Sequence, residues 1–158
     1  NLDGALLKSI LSVGNTIPAK KILLSTGDPL QKADMLTACK LLADHGYELY
    51  ATAGTYKYFI ENSIPCKRVL WPSEVKNASM NTLFPSALDM IKNKKVDMVI
   101  NVPKNFSEEE LYNGYHIRRS AIDSNIPLFS NARLATAFIR AFCSMTMDDI
   151  QIKSWDEY

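Results

Sequence analysis

The sequence predicts an α/β domain built on a parallel sheet. Short apolar runs of strand type alternate with longer runs of helical period from Lys21 onward. That alternation folds as parallel strands joined by right-handed crossover helices. One run, Val96-Asp-Met-Val-Ile-Asn-Val102, is almost continuously apolar, as suits a strand covered on both faces. A second signature is Tyr47-Glu-Leu-Tyr-Ala-Thr-Ala-Gly-Thr-Tyr56, which reads as strand, tight turn and helix start.

Taken in order, Leu2–Leu11 carries a weak helical stripe, broken at Val13-Gly-Asn-Thr-Ile-Pro18. Residues 1–19 are expected to be the end of a preceding domain and a linker, and residues 20–158 the domain itself. Lys21–Ser25 is the first core strand and Thr26–Gln31 its exit loop. Lys32–His45 is a helix ended by Gly46. Tyr47–Ala51 is the second strand, Tyr56–Asn62 a short helix, and Lys67–Leu70 the third strand. Trp71–Asn81 is a polar loop, long for such folds and therefore a candidate for function. Thr82–Lys92 is helical, with Pro85 tolerable in its first turn. After the Val96–Val102 strand, Ser107-Glu-Glu-Glu110 has the spacing of a capping box opening a short helix. Tyr115–Ser124 is a separate helix, Ile126–Phe129 an edge strand, Asn131–Ser144 the last long helix, and Asp149–Trp155 a tail with a short extra strand.

Composition sets limits. The 158 residues are 47% hydrophobic and 22% charged, the balance of one ordinary globular domain. A formal charge of +1 gives no support to bulk attraction to nucleic acid or membrane. No apolar run reaches transmembrane length. Cys39, Cys66 and Cys143 are scattered, which points to buried free thiols in a reducing compartment and to no metal or cofactor.

In such a sheet, ligands bind beyond the carboxyl ends of the strands. That edge gathers a set of donors: Lys32, Thr52, Thr55, Trp71, Asn101, Lys104, Asn105, Arg118 and Arg119. Gly54 permits close approach, and the N–H groups of the following helix favour an anion. Each residue also has a plainer reading. Lys32 is a solvated helix-start lysine, Thr52 and Thr55 are helix caps, Trp71 is a core aromatic, and Arg118-Arg119 is a solvated pair. Their convergence on one edge favours binding of a small anion. Catalysis has little support. His45 reads as a helix C-terminal dipole partner and His116 as a packing residue. Asp28 reads as turn-forming, and no G-x-x-x-x-G-K-[ST] or G-x-G-x-x-G pattern is present.

Leu49-Tyr-Ala-Thr-Ala-Gly-Thr55, Val99-Ile-Asn101, Ile117-Arg-Arg-Ser-Ala121 and Ala135-Thr-Ala137 resemble the methylglyoxal-synthase-like domain. More closely, they resemble the C-terminal regulatory domain of the carbamoyl phosphate synthetase large chain, over about Lys20 to Ile152. The resemblance implies a three-layer Rossmann-like fold, with five parallel strands in the order 3-2-1-4-5 flanked by helices. It implies an allosteric domain that is itself non-catalytic. The parent chain would be an ATP-dependent ligase making carbamoyl phosphate from bicarbonate and glutamine or ammonia, for arginine and pyrimidine synthesis. The implied effectors are UMP, IMP or N-acetylglutamate. The implied partners are the rest of the large chain and a glutaminase small chain, and homo-oligomers are compatible with it. The implied location is cytoplasmic, or mitochondrial for a urea-cycle type.

Residue by residue, the resemblance assigns Lys32, Thr52 and Thr55 to a phosphate, with Asn101 nearby. Trp71 stands where the bacterial enzymes carry lysine, and Pro103 where they carry threonine. Trp71-Pro-Ser and Asn101-x-Pro instead look like the ammonia-dependent, urea-cycle type. This chain departs from that type at Lys104, with Asn105 adjacent, and at Gly114, where it has asparagine. Ser130 matches the hydroxyl residue of the ornithine-linked contact. Two other readings remain at this level: methylglyoxal synthase acting on dihydroxyacetone phosphate, and an oligomerisation domain without a ligand. The first lacks a histidine in the first exit loop and a His-Asp pair after the third strand.

Overall fold

The computed structural model describes Ala5, Lys8 and residues 20–27, 29–76, 83–103 and 107–144. For Pro29, Leu30, Gln31, Lys32 and Asp34 it describes the backbone alone. The predicted linker, most of the opening helix and the tail strand over Asp149–Trp155 lie outside the described residues.

Five strands form one parallel sheet: β1 (Lys21–Thr26), β2 (Glu48–Ala51), β3 (Lys67–Arg68), β4 (Met98–Val102) and β5 (Leu128–Phe129). Their order is β3-β2-β1-β4-β5, so β1 is central and the chain reverses its direction of travel there. Register pairs Ile22 with Leu49 and Met98, and Leu24 with Ala51 and Ile100. The helices are α1 (Pro29–Asp44), α2 (Ala53–Glu61), α3 (Ala87–Lys92), α4 (Glu108–Asp123) and α5 (Ala132–Cys143), with a 3-10 turn at Pro72–Lys76.

Side chains alternate across the sheet, and each face has its own core. Ile22, Leu24, Met98 and Ile100 pack with Met35, Ala38 and Leu42 of α1, Phe59 of α2, and Phe138 and Phe142 of α5. Leu23 and Val99 point the other way, against Ala87, Met90 and Ile91 of α3 and Ile117 and Ala121 of α4. Fully burying an aliphatic or aromatic side chain of this size stabilises by about 1.5–3 kcal/mol. Phe138 adds a stacked contact to Phe129 at 5.1 Å between ring centres. Gly46, at φ +83°, ends α1 in a left-handed conformation and turns the chain into β2.

Four predicted elements are corrected. The third strand ends at Arg68, and beyond it Leu70 makes an isolated bridge to Ser86. The helix expected over Thr82–Lys92 is interrupted at residues 84–86, and its last stretch runs over Ala87–Lys92. Ser86 caps it, accepting from Asp89 N–H, and the Pro85 carbonyl instead accepts from Leu70 N–H at 2.8 Å. α2 begins at Ala53, earlier than the predicted Tyr56, so Thr55 lies inside its first turn. The two helices predicted around Tyr115 are one, α4, running through a buried Gly114.

Candidate functional site

The signature turn runs from the end of β2 into α2. Thr52 sits at the N-cap with extended backbone, but its side chain makes no capping bond. Its hydroxyl donates to Ser25 Oγ at 2.9 Å. The Thr55 hydroxyl accepts from Thr26 N–H at 3.1 Å and donates to the Thr26 carbonyl at 3.0 Å. Both threonines are buried. The two hydroxyls therefore clamp the end of β1 rather than cap α2. The first-turn N–H groups of α2 go without a side-chain cap, at the positive end of the helix dipole.

Beside that helix start lies a cavity of about 160 Å³. It is lined by Ser25, Thr26 and Gly27 of the β1 exit, Gly54 and Thr55 of α2, Trp71, Val102 of β4, and Glu110 of α4. Its size is below the roughly 300–1,000 Å³ typical of drug-sized pockets, so it suits a compact ligand or one end of a larger one. Thr26 Oγ1 and Trp71 Nε1 are buried without a hydrogen-bond partner among the described residues. Arg68 Nε and Thr136 Oγ1 are in the same state away from the cavity; each buried polar group left unpaired costs about 1–3 kcal/mol.

The Trp71 wall is held by two sets of bonds. Glu74 Oε1 accepts from Trp71 N–H and its Oε2 from Arg68 Nη2, both at 2.9 Å. The Arg68 guanidinium also lies 4.7 Å from the Phe84 ring centre. On the other side, Asn113 of α4 accepts from Ser73 N–H at 2.9 Å and donates to Ser73 Oγ at 3.0 Å. Ser73 Oγ in turn donates to Glu109 at 3.3 Å. Asn113 is buried, and sequence reasoning passed over it. The resemblance drew attention to Gly114, directly before Tyr115-His-Ile-Arg-Arg, and not to its neighbour Asn113.

Gly114 has a different role. A Cβ there would lie 2.6 Å from Arg118 Nη1. The space admits the guanidinium, which donates to Asn101 Oδ1 at 2.9 Å. Asn101 is buried at the end of β4, outside the cavity lining. The arginine pair thus divides: Arg118 turns inward, while Arg119 is exposed and pairs with Asp123 at 3.3 Å.

Of the predicted set, the structure brings Thr55 and Trp71 into the cavity wall, with Thr52 bonded just beneath. Lys32 lies in α1, and only its backbone is described. Lys104 and Asn105 lie outside the described residues, as does Asp28. Ser130 is exposed after β5 and does not line the cavity. His45 Nδ1 bonds the Leu41 carbonyl at 2.7 Å, and His116 packs edge-on against Tyr112 and Tyr115. Burial pushes the Cys39 thiol up to about 12, and the Cys66 and Cys143 thiols up to about 11. They are poor nucleophiles near neutral pH. Among the described residues no cluster of His, Cys, Asp or Glu could hold a metal ion, and no helix is long and apolar enough to cross a membrane. Glu110 was the lining residue least visible in the sequence, where it served only as a capping-box position.

A doubly covered parallel sheet with a small cavity at the carboxyl end of its central strand defines a doubly wound α/β domain. The chain belongs to the MGS-like domain family, whose model matches residues 34–130. It is 39% identical over 144 residues to Multifunctional protein ura1 of Schizosaccharomyces pombe, covering 88% of this chain and 6% of that protein. It is 34% identical over 137 residues to the human mitochondrial carbamoyl-phosphate synthase (ammonia), covering 87% of this chain and 9% of that one. With the carbamoyl phosphate synthase large chain, C-terminal section, of Aquifex aeolicus it shares 33% over 141 residues, 89% of this chain and 24% of that one. The chain thus matches a small segment of longer carbamoyl-phosphate synthase chains. A solved methylglyoxal synthase from Elizabethkingia anophelis shares the fold, with TM-score 0.54 and 19% identity over 78% of this chain and 79% of that one.

Proposed function

We propose that this chain is the effector-binding regulatory domain of a carbamoyl-phosphate synthase. The parent would make carbamoyl phosphate for pyrimidine or arginine synthesis, using ATP-binding domains elsewhere in the longer chain. The observation that carries the reading is the cavity at the start of α2. There an uncapped helix N-terminus meets unpartnered groups of Thr26 and Trp71. Helix N–H groups take the anionic end of a ligand, and the indole covers its apolar stem. Occupancy would bias the distant active sites through different affinities for two states of the whole enzyme. Glu110 is the one titratable side chain lining the cavity among the described residues, which supports binding rather than acid–base turnover.

Calorimetry with UMP, IMP, ornithine and N-acetylglutamate tests the proposal. At least one should bind, and Trp71→Ala should weaken it by about 1–3 kcal/mol. Failure of all four to bind would sink the reading.

A further inference from the structure

The effector-site reading leaves one lining residue unexplained. Glu110 places a carboxylate on the wall of a cavity meant for an anion, and no lysine or arginine lines that cavity among the described residues. A ligand that is negative throughout would meet the helix dipole on one side and a like charge on the other. The dipole's partial positive charge holds only close to the α2 start, within its first turn. The carboxylate, in a small partly open cavity, repels anionic groups and favours hydrogen-bond donors. Thr26 is 4% exposed and its hydroxyl has no partner among the described residues, so the same wall offers a second group that accepts from a donor.

Resting on the effector-site reading, we infer that the cavity takes a small organic anion bearing N–H or O–H donors on its stem. Glu110 is then the residue that reads those donors. The anionic end lies on the first-turn N–H groups of α2, the stem lies against Trp71, and the donor end lies toward Glu110. Glu110 need not be free of other bonds for this, because a carboxylate offers about four acceptor sites. Bare inorganic anions are rejected by the same charge. Selectivity against phosphate and sulfate, which any uncapped helix start would otherwise attract, follows from that single side chain.

The test compares the 158-residue chain with its Glu110→Gln variant, using sulfate, UMP and N-acetylglutamate as probes in calorimetry. Sulfate carries no donor, whereas UMP and N-acetylglutamate carry O–H or N–H groups. Glu110→Gln should weaken the better-binding organic anion by roughly tenfold to a hundredfold, the loss of one hydrogen bond to a charged acceptor. It should also tighten sulfate, so the two affinities move in opposite directions. Glu110→Asp keeps the charge while shortening its reach, and should weaken the organic anion without tightening sulfate. Thermal melts of both variants confirm folding. If Glu110→Gln tightens sulfate and the organic anion alike, Glu110 only repels and the inference is wrong. If no probe binds the unmodified chain, the effector reading falls and takes this inference with it.

Discussion

The two ends of the sheet treat their polar groups in opposite ways. At the amino end, Asp97 accepts from Lys20 N–H at 2.9 Å and Lys21 N–H at 2.7 Å. Glu48 pairs with Lys20 and Lys21 and accepts from the Tyr50 hydroxyl at 3.1 Å. Those partners hold the Glu48 carboxyl below its usual range, the Tyr50 hydrogen bond contributing most. At the carboxyl end, Thr52 and Thr55 spend their hydroxyls on β1; among the described residues Thr52 makes no side-chain cap for α2, and Thr26 and Trp71 keep unpaired polar atoms. The amino end pairs its polar groups internally; the carboxyl end leaves groups free to meet the proposed effector.

Breaking the clamp at the carboxyl end should have the largest effect. Thr55→Val removes the acceptor for Thr26 N–H and the donor to its carbonyl. Leaving both buried groups unpaired should cost about 2–4 kcal/mol in urea unfolding, while Thr55→Ser should recover most of it. At the amino end, Asp97→Ala should cost about 1–2 kcal/mol, because its bonds to two backbone N–H groups are only partly shielded from water. Ligand affinity should not change, which separates the two ends by function. Lys20→Ala should change stability by less than about 0.5 kcal/mol, since the lysine side chain is 63% exposed in its pair with Glu48.

The thiols sharpen the comparison with pH. Burial raises all three in the folded state, whereas the unfolded chain titrates them near 9.0. Above that pH the unfolded state holds fewer protons than the folded one, so stability falls as pH rises. The decline should start near pH 9 and continue through about 11 to 12. Replacing Cys39 by Ala should flatten part of it in urea titrations at matched pH.

Much of this was legible in the sequence because periodicity reports which residues face a core. The strand alternation located β1, β2 and β4, and Tyr47–Tyr56 marked the turn beside the cavity. The strand order followed from the resemblance, since adjacency in a sheet is not written in local pattern. Direction was the part that could not be read. Nothing local shows that Thr52 and Thr55 point back to β1, or that Arg118 turns inward while Arg119 turns out. Gly114 was read only as a departure from the family's asparagine; that it admits the Arg118 guanidinium is visible only once the helix is packed. Asn113 was missed for the same reason, because its partner Ser73 lies on a different loop, and Glu110 because the cavity it lines is assembled from four other elements.

The most direct test of the account follows backbone amides by two-dimensional NMR while N-acetylglutamate or UMP is added. The account predicts that the amides of Ala53, Gly54 and Thr55 shift progressively and saturate, while those of Lys20, Lys21 and Asp97 at the other end stay in place. Saturating shifts confined to the amino end, or none at the start of α2 with any ligand that binds, would contradict it.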